Sequence, residues 1–381
     1  MHASTRAGQV KRLAQTATNE RFPTTFRTFG PKPMPYLTAH FLDRVNEWLV
    51  RTRLSGRLPP HRGISLVEHM RGFGDAVHPS PQMLGGFEPE HVSRSLWKAV
   101  SPWPGAEGNN KIWYAERFVP RSGTRSVAGR QTTGTGQDDP PPALILLHGW
   151  LLNRAQLAIY RSWARCVARR GIEVWVPFLP YHMRRADPGE ISGQRALSPD
   201  LSTSFDMVRQ AVAETRLLAG WLRRRTTRVG IWGMSLGGWV AALTTTLDDD
   251  WDAVALWAPV AAPVEVLFES GLVEMLREAI IEGGMSEGDF AGPELAPMTP
   301  TCSDTRIHRS TLLVVAGAYD QVISPRSVAR LARRWNVDIH WVPHGHISLI
   351  ASWAPVRHTA TFLEHTLFAP CPGKPITPPT V

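Results

Sequence analysis

From residue 143 to residue 367 the chain alternates two kinds of apolar pattern. One is a short continuous run, as in Ala143, Leu144, Ile145, Leu146 and Leu147. The other is a longer stretch in which apolar residues return every three or four positions. Continuous runs fit strands buried on both faces of a parallel sheet, and the longer spacing fits helices with one buried side. The pattern predicts strands at 111–119, 143–147, 173–178, 229–232, 253–257, 311–316 and 338–342. It predicts helices at 154–170, 205–225, 236–247, 325–335 and 354–367. Such alternation implies right-handed crossovers and an α/β fold with a doubly wound, mostly parallel sheet.

Two regions leave this rhythm. Residues 261–309 carry an amphipathic helix at 264–281 and then a Gly/Pro-rich segment, as expected of a small helical cap inserted between two strands. Residues 1–110 read as an N-terminal extension that packs on the main domain at 111–370. Its one predicted helix, 37–53, has Phe41, Leu42, Val45, Trp48 and Leu49 at helical spacing. Residues 59–89 and 121–142 read as a Gly/Pro-rich loop and a linker, and 371–381 as a tail.

Composition adds limits. The 381 residues are 43% hydrophobic and 20% charged, which suits a packed core rather than disorder. No run approaches the ~18 apolar residues of a membrane-spanning helix. The N-terminus lacks the apolar core of a secretory signal. Residues 1–27 read as a disordered or clamping arm in preference to a transit peptide, and a cytoplasmic location is expected. The net charge of +9 comes from arginine, since lysine occurs only at positions 11, 32, 98, 111 and 374. Many basic residues fall at helix ends, such as Arg223, Arg224, Arg225, Arg333 and Arg334, where the helix dipole favours cations. Nucleic acid is therefore not expected as a partner, while peripheral contact with a membrane or lipid stays open. Cys166, Cys302 and Cys371 form no close pair, which argues against a disulfide framework or zinc knuckle. No His/Cys cluster has metal-ligand spacing, and no metal or organic cofactor is expected.

The chemistry is carried by four loops. Gly233-Met234-Ser235-Leu236-Gly237 lies between a predicted strand and a predicted helix. That is the context in which a serine is forced up on a tight turn as a nucleophile, with Gly233, Gly237 and Gly238 small enough to let strand and helix approach. A serine hydroxyl needs a base at neutral pH. His346 follows the last strand and precedes the last helix, and is favoured over His344 for that reason. The imidazole needs a carboxylate partner. Asp320 follows the strand at 311–316, with Glu265 as the reserve acid. His148-Gly149-Trp150 follows the strand at 143–147. Gly149 is expected to turn the backbone there, so that the N–H of Trp150 (or Leu151) joins the N–H of Leu236 in an oxyanion hole. His148 is expected to be a structural hydrogen-bonder.

Together these residues resemble the α/β-hydrolase superfamily of esterases, lipases and related enzymes, over residues 111–367. A looser similarity links Pro325-Arg326 and Gly345-His346-Ile347-Ser348 to hydrolases like abhydrolase domain-containing protein 18. The superfamily resemblance implies that Ser235, Asp320 and His346 act as nucleophile, acid and base, in the chain order usual for that fold. It implies acyl transfer on a small-molecule ester or acyl substrate. Trp150, Trp239 and Trp257 and the insertion hint at an apolar acyl pocket, although Trp239 and Trp257 also suit core packing. Peptidase, thioesterase and acyltransferase activity are alternatives on the same fold. A non-catalytic ligand- or partner-binding role is the alternative of another class.

Overall fold

The computed structural model describes residues 34–59, 69–70, 80–120 and 140–369. The arm at 1–27, most of the loop at 59–89, most of the linker at 121–142, the tail and Cys371 lie outside the described residues. The chain begins there with helix α1 (Tyr36–Leu54) and strands β1 (Glu90–Ser93), β2 (Leu96–Val100), β3 (Ile112–Phe118) and β4 (Ala143–Leu147). Helix α2 (Arg154–Ala168), strand β5 (Glu173–Pro177), helix α3 (Leu201–Arg223), strand β6 (Val229–Met234) and helix α4 (Leu236–Leu247) follow. After strand β7 (Ala253–Trp257) come helices α5 (Pro263–Glu269) and α6 (Glu274–Glu282). The last elements are β8 (Leu312–Gly317), α7 (Pro325–Arg334), β9 (Ile339–Val342), α8 (His346–Ala351) and α9 (Trp353–Phe368).

The strands form one nine-stranded sheet in the order β1-β2-β3-β5-β4-β6-β7-β8-β9. Strands β4 to β9 are mutually parallel, and β1 to β3 make an antiparallel edge that joins at β5. Two strands of that edge, β1 and β2, were not anticipated, so the sheet begins at Glu90 and not at residue 111. Their short, half-exposed sequence gives little apolar signal. Each parallel strand feeds both faces. Ile145 and Leu147 join the core beneath α3 and α4, whereas Leu144 and Leu146 join the core beneath α2 and α9. This two-sided burial is what makes the strands continuous apolar runs in the sequence. On the second face Trp163 of α2 stacks on Trp232 of β6 with ring centroids 5.0 Å apart, and Trp257 tilts against both. Trp257 is therefore a core residue.

Two local expectations are corrected. The stretch at 264–281 is not one helix but α5, a single 3-10 turn at Gly271–Val273 and α6. The Ser270 hydroxyl accepts the N–H of Leu272, and Arg277 caps the Phe268 carbonyl at 2.9 Å, so both ends of the break are satisfied locally. Helix α1 has the expected extent but the opposite orientation. Phe41 and Trp48 face solvent at 65% and 63% exposure, and Asp43, Glu47, Val50 and Leu54 face the protein. The acidic side wins because partners await it. Asp43 meets backbone N–H groups, and Glu47 packs where Gly271 leaves room, a Cβ there lying only 2.7 Å from Glu47 Oε2. Among the described residues no helix is long and apolar enough to cross a membrane.

Candidate active site

Strand β6 ends at Met234 and α4 begins at Leu236, so Ser235 alone makes the turn. Its backbone lies at φ 54° and ψ −115°. Holding a residue with a side chain in such a region costs about 1–3 kcal/mol, which the surroundings must impose. Contact between strand, helix and β4 imposes it. A Cβ on Gly237 would come 2.5 Å from the Leu147 carbonyl oxygen, and one on Gly238 would come 2.9 Å from Pro259 Cα. Glycine at these positions lets α4 start directly over the sheet.

Ser235, His346 and Asp320 converge at the carboxyl ends of β6, β9 and β8. Ser235 Oγ lies 3.0 Å from His346 Nε2, and His346 Nδ1 lies 2.8 Å from Asp320 Oδ2. The other Asp320 oxygen accepts the N–H groups of Val322 and Ile323 at 2.8 and 2.7 Å. The carboxylate is thereby fixed, with Oδ2 left for the imidazole. A proton on Nδ1 leaves Nε2 as the acceptor facing the serine. All three residues are buried. Burial pushes the His346 pKa down. The charge and hydrogen bond of Asp320 outweigh it, with a further contribution from Asp43, and the net shift is above the ordinary histidine value.

The loop after β4 completes the floor. The Gly149 N–H donates to the Tyr160 hydroxyl at 2.9 Å. No described residue accepts a hydrogen bond from the backbone N–H of Trp150 or Leu236. Leu236 opens α4, where helix amides lack intrahelical acceptors. Both residues line the same cavity as Ser235. The left-handed residue of this loop is Leu151, at φ 56°, and not Gly149. A Cβ on Gly149 would make ordinary contacts, 3.6 Å from Ser235 Cβ. Glycine there keeps space open beside the serine rather than making the turn. The loop ends at Asn153, whose side chain caps α2 by accepting the N–H groups of Ala155 and Gln156.

The remaining candidates fall elsewhere. His148 is buried, with Nε2 accepting the Leu179 N–H at 3.0 Å and Nδ1 donating to the Gly149 carbonyl at 2.7 Å. Burial first, and then the neighbouring His182, hold its pKa well below the usual value, so it is a neutral structural group. His344 is half-buried in the loop before His346, its Nδ1 without a hydrogen-bond partner among the described residues. Glu265 pairs with Arg330 on α7 and does not reach the imidazole. Among the described residues no group of three His, Cys, Asp or Glu side chains is placed to hold a metal ion.

Two cavities meet at Ser235. The first has a volume of about 120 Å³. Apart from Ser198, Ser204 and Ser235 its lining side chains are apolar, among them Trp150, Trp239, Leu267 and Leu276. The indole N–H groups of Trp150 and Trp239 donate to the carbonyls of Gly193 and Met298 at 2.7 Å, so the rings present only apolar surface. Helices α5 and α6 roof this cavity. The second cavity is smaller and mixed in character. It brings Asn46 and Val50 of α1 together with Gln156, Tyr160, Ser235 and His346. Asn46, Val50 and Asp43 were not anticipated as site residues. They carry no motif, and only the folded chain brings α1 to this loop cluster.

The strand order and the elbow after β6 are those of the α/β-hydrolase fold. No protein-family model matches the chain. Two uncharacterized proteins of Mycobacterium tuberculosis, from strains CDC 1551 / Oshkosh and ATCC 25618 / H37Rv, are each 30% identical to it over 228 residues. That stretch is 58% of this chain and 52% of each relative, so the chain spans about half the length of the curated relatives it matches. Among solved structures, an acetyl xylan esterase from Paenibacillus sp. R4 aligns with TM-score 0.49 and 15% identity, covering 83% of this chain and 99% of that one. Acetyl xylan esterase 1 from Thermoanaerobacterium sp. JW/SL YS485 aligns with TM-score 0.47 and 16% identity, over 78% and 92% of the two chains. The Pyrococcus horikoshii acylaminoacyl peptidase aligns with TM-score 0.47 and 12% identity, over 77% and 44%.

Proposed function

We propose that this protein is a serine hydrolase that cleaves carboxylic esters of medium or long acyl chain through an acyl-enzyme on Ser235. The observation that carries the reading is a continuous relay. Ser235 Oγ, His346 and Asp320 are linked at 3.0 and 2.8 Å, and Ser235 opens onto an apolar cavity. His346 Nε2 takes the serine proton as Oγ attacks the carbonyl carbon, and the Asp320 carboxylate stabilises the imidazolium that forms. The oxyanion is bound by the N–H groups of Leu236 and Trp150, each contributing roughly 3 kcal/mol in the transition state. His346 then protonates the leaving alcohol, and a water molecule repeats the sequence to release the acid.

The two cavities divide the substrate. The apolar wall of the first cavity suits the acyl chain. The mixed cavity, with Asn46, Gln156 and Tyr160, suits the leaving alcohol.

The test is fluorophosphonate labelling of wild type, Ser235→Ala and His346→Ala, with turnover of ester, thioester and amide substrates. Labelling of wild type alone, with preference for esters, is expected. Equal labelling of Ser235→Ala overturns the assignment of the nucleophile, and preference for amides or thioesters overturns the substrate class.

A further inference from the structure

Helix α8 carries His346 as its first residue, and its N-cap is Gly345, which has no side chain to cap with. The first amides of a helix need acceptors from outside it. Here they find one in α1, which precedes them by some three hundred residues. Asp43 Oδ2 accepts the His346 N–H at 2.9 Å, and Asp43 Oδ1 accepts the Ile347 N–H at 3.0 Å. The same carboxylate reaches the other loop of the relay, where Oδ2 also accepts the N–H of Gln321 at 3.2 Å. Gln321 directly follows Asp320. Asp43 has no exposed surface. Room for it depends on Gly345, because a Cβ there would come 2.6 Å from Asp43 Oδ2.

We propose that Asp43 is a positioning residue that ties the backbone of the base loop to the backbone of the acid loop, making α1 an integral part of the active site. The proposal rests on the reading of Ser235, His346 and Asp320 as a catalytic relay. The physical reason is geometric. His346 must meet Ser235 on one side and Asp320 on the other, and its ring inherits its place from the backbone at 345–347. That backbone is a loop entering a short helix whose own cap, the Ser348 hydroxyl accepting the Gly345 N–H at 3.0 Å, leaves the next two amides to an outside acceptor. A buried acceptor bound to three amides removes its freedom, and a misplacement of about 1 Å in such a group can cost 10²-fold in rate. Asp43 also adds a second negative charge near the imidazolium, in the same direction as Asp320. The ionisable groups around the ring are Asp320 from the loop after β8, Asp43 from α1 and, across the smaller cavity, Tyr160 from α2, whose phenol burial pushes above its ordinary range.

The experiment uses the full chain with p-nitrophenyl octanoate as probe substrate. Asp43→Asn keeps the size but puts an amide N–H₂ against N–H donors. The expected result is a 10- to 100-fold fall in kcat with KM within about twofold. The acid limb of the kcat/KM profile should also move to lower pH. Asp43→Glu should restore the position of that limb more than it restores kcat. A folded Asp43→Asn variant with wild-type kcat and an unmoved limb overturns the proposal. So does a fall in kcat that merely tracks the unfolded fraction with the limb in place. Should the variant not fold, hydrogen exchange on the wild type decides, because the amides of His346 and Ile347 should exchange far more slowly than an open loop does. Exchange at loop rates overturns the clamp. A wild type that neither labels with fluorophosphonate nor hydrolyses the probe refutes the hydrolase reading instead, and the exchange result still reports on the clamp.

Discussion

A Cβ placed on Gly233 would stand 2.1 Å from the carbonyl oxygen of Gly237. These two residues flank Ser235, and their contact joins the end of β6 to the start of α4. No alanine fits without parting the strand from the helix. Gly233→Ala should therefore destabilise the protein by more than about 3 kcal/mol, in the range that only backbone clashes, cavities and buried charges reach. Urea unfolding measures the loss. Whatever folded fraction remains should fail to label with fluorophosphonate, since the serine no longer sits at φ 54°. A stable, fully labelled variant would show that the turn tolerates relaxation.

The raised pKa of His346 fixes the sign of the pH dependence. The imidazole acts as base only when neutral. A pKa held above the ordinary value keeps it protonated, and idle, to a higher pH. The acid limb of kcat/KM should thus lie above the usual histidine value near 6.5. Asp320→Asn removes the main raising influence, so the limb should move down, while kcat falls by about 10⁴-fold because the tautomer is lost. For folding the sign is the reverse of an acid's. The stability contributed by the His346–Asp320 pair is present in full below the unfolded histidine pKa and lost as pH rises through the folded one.

Chain-length preference tests the cavity. Each buried methylene contributes about 0.8 kcal/mol, so kcat/KM on p-nitrophenyl esters should rise by roughly tenfold per two carbons until the cavity is full. Leu267 lines the cavity from α5. Leu267→Trp should shift the optimum to shorter chains and leave acetate turnover within a few-fold of wild type. An unchanged profile would place the acyl chain elsewhere.

The tryptophan stack on the opposite face of the sheet tests the scaffold. Trp163 and Trp232 are fully buried, and Trp232 lies on the strand that carries Ser235. Trp163→Ala should cost about 3–5 kcal/mol in chemical denaturation. Residual folded protein should keep its labelling, because the stack is on the far side of the sheet from the cavity. Parallel loss of labelling by folded protein would show that the stack sets the elbow geometry.

Much of this was legible along the chain, and for one reason. Strands buried on both faces must be continuously apolar, and the loops at their carboxyl ends carry the chemistry. Ser235, Asp320, His346 and the Gly149–Trp150 loop could therefore be placed by counting strands. Gly233 and Gly237 could be assigned because the steric demand of a strand–turn–helix is local. The edge strands β1 and β2 were missed because an antiparallel edge is half-exposed and has no such run.

Three features were decided only by the fold. At the break after Ser270, Glu47 of α1 fills the room that Gly271 leaves, and that meeting has no local signature. The inward face of α1 follows not from its apolar spacing but from what lies opposite, a set of backbone amides whose hydrogen bonds the Asp43 carboxylate accepts. Asp43 owes its place to that meeting. Sequence order placed Ser235, Asp320 and His346 at the carboxyl ends of β6, β8 and β9. Long-range contact, closing a loop of some three hundred residues, set Asp43 against the backbone of the loops that carry the last two.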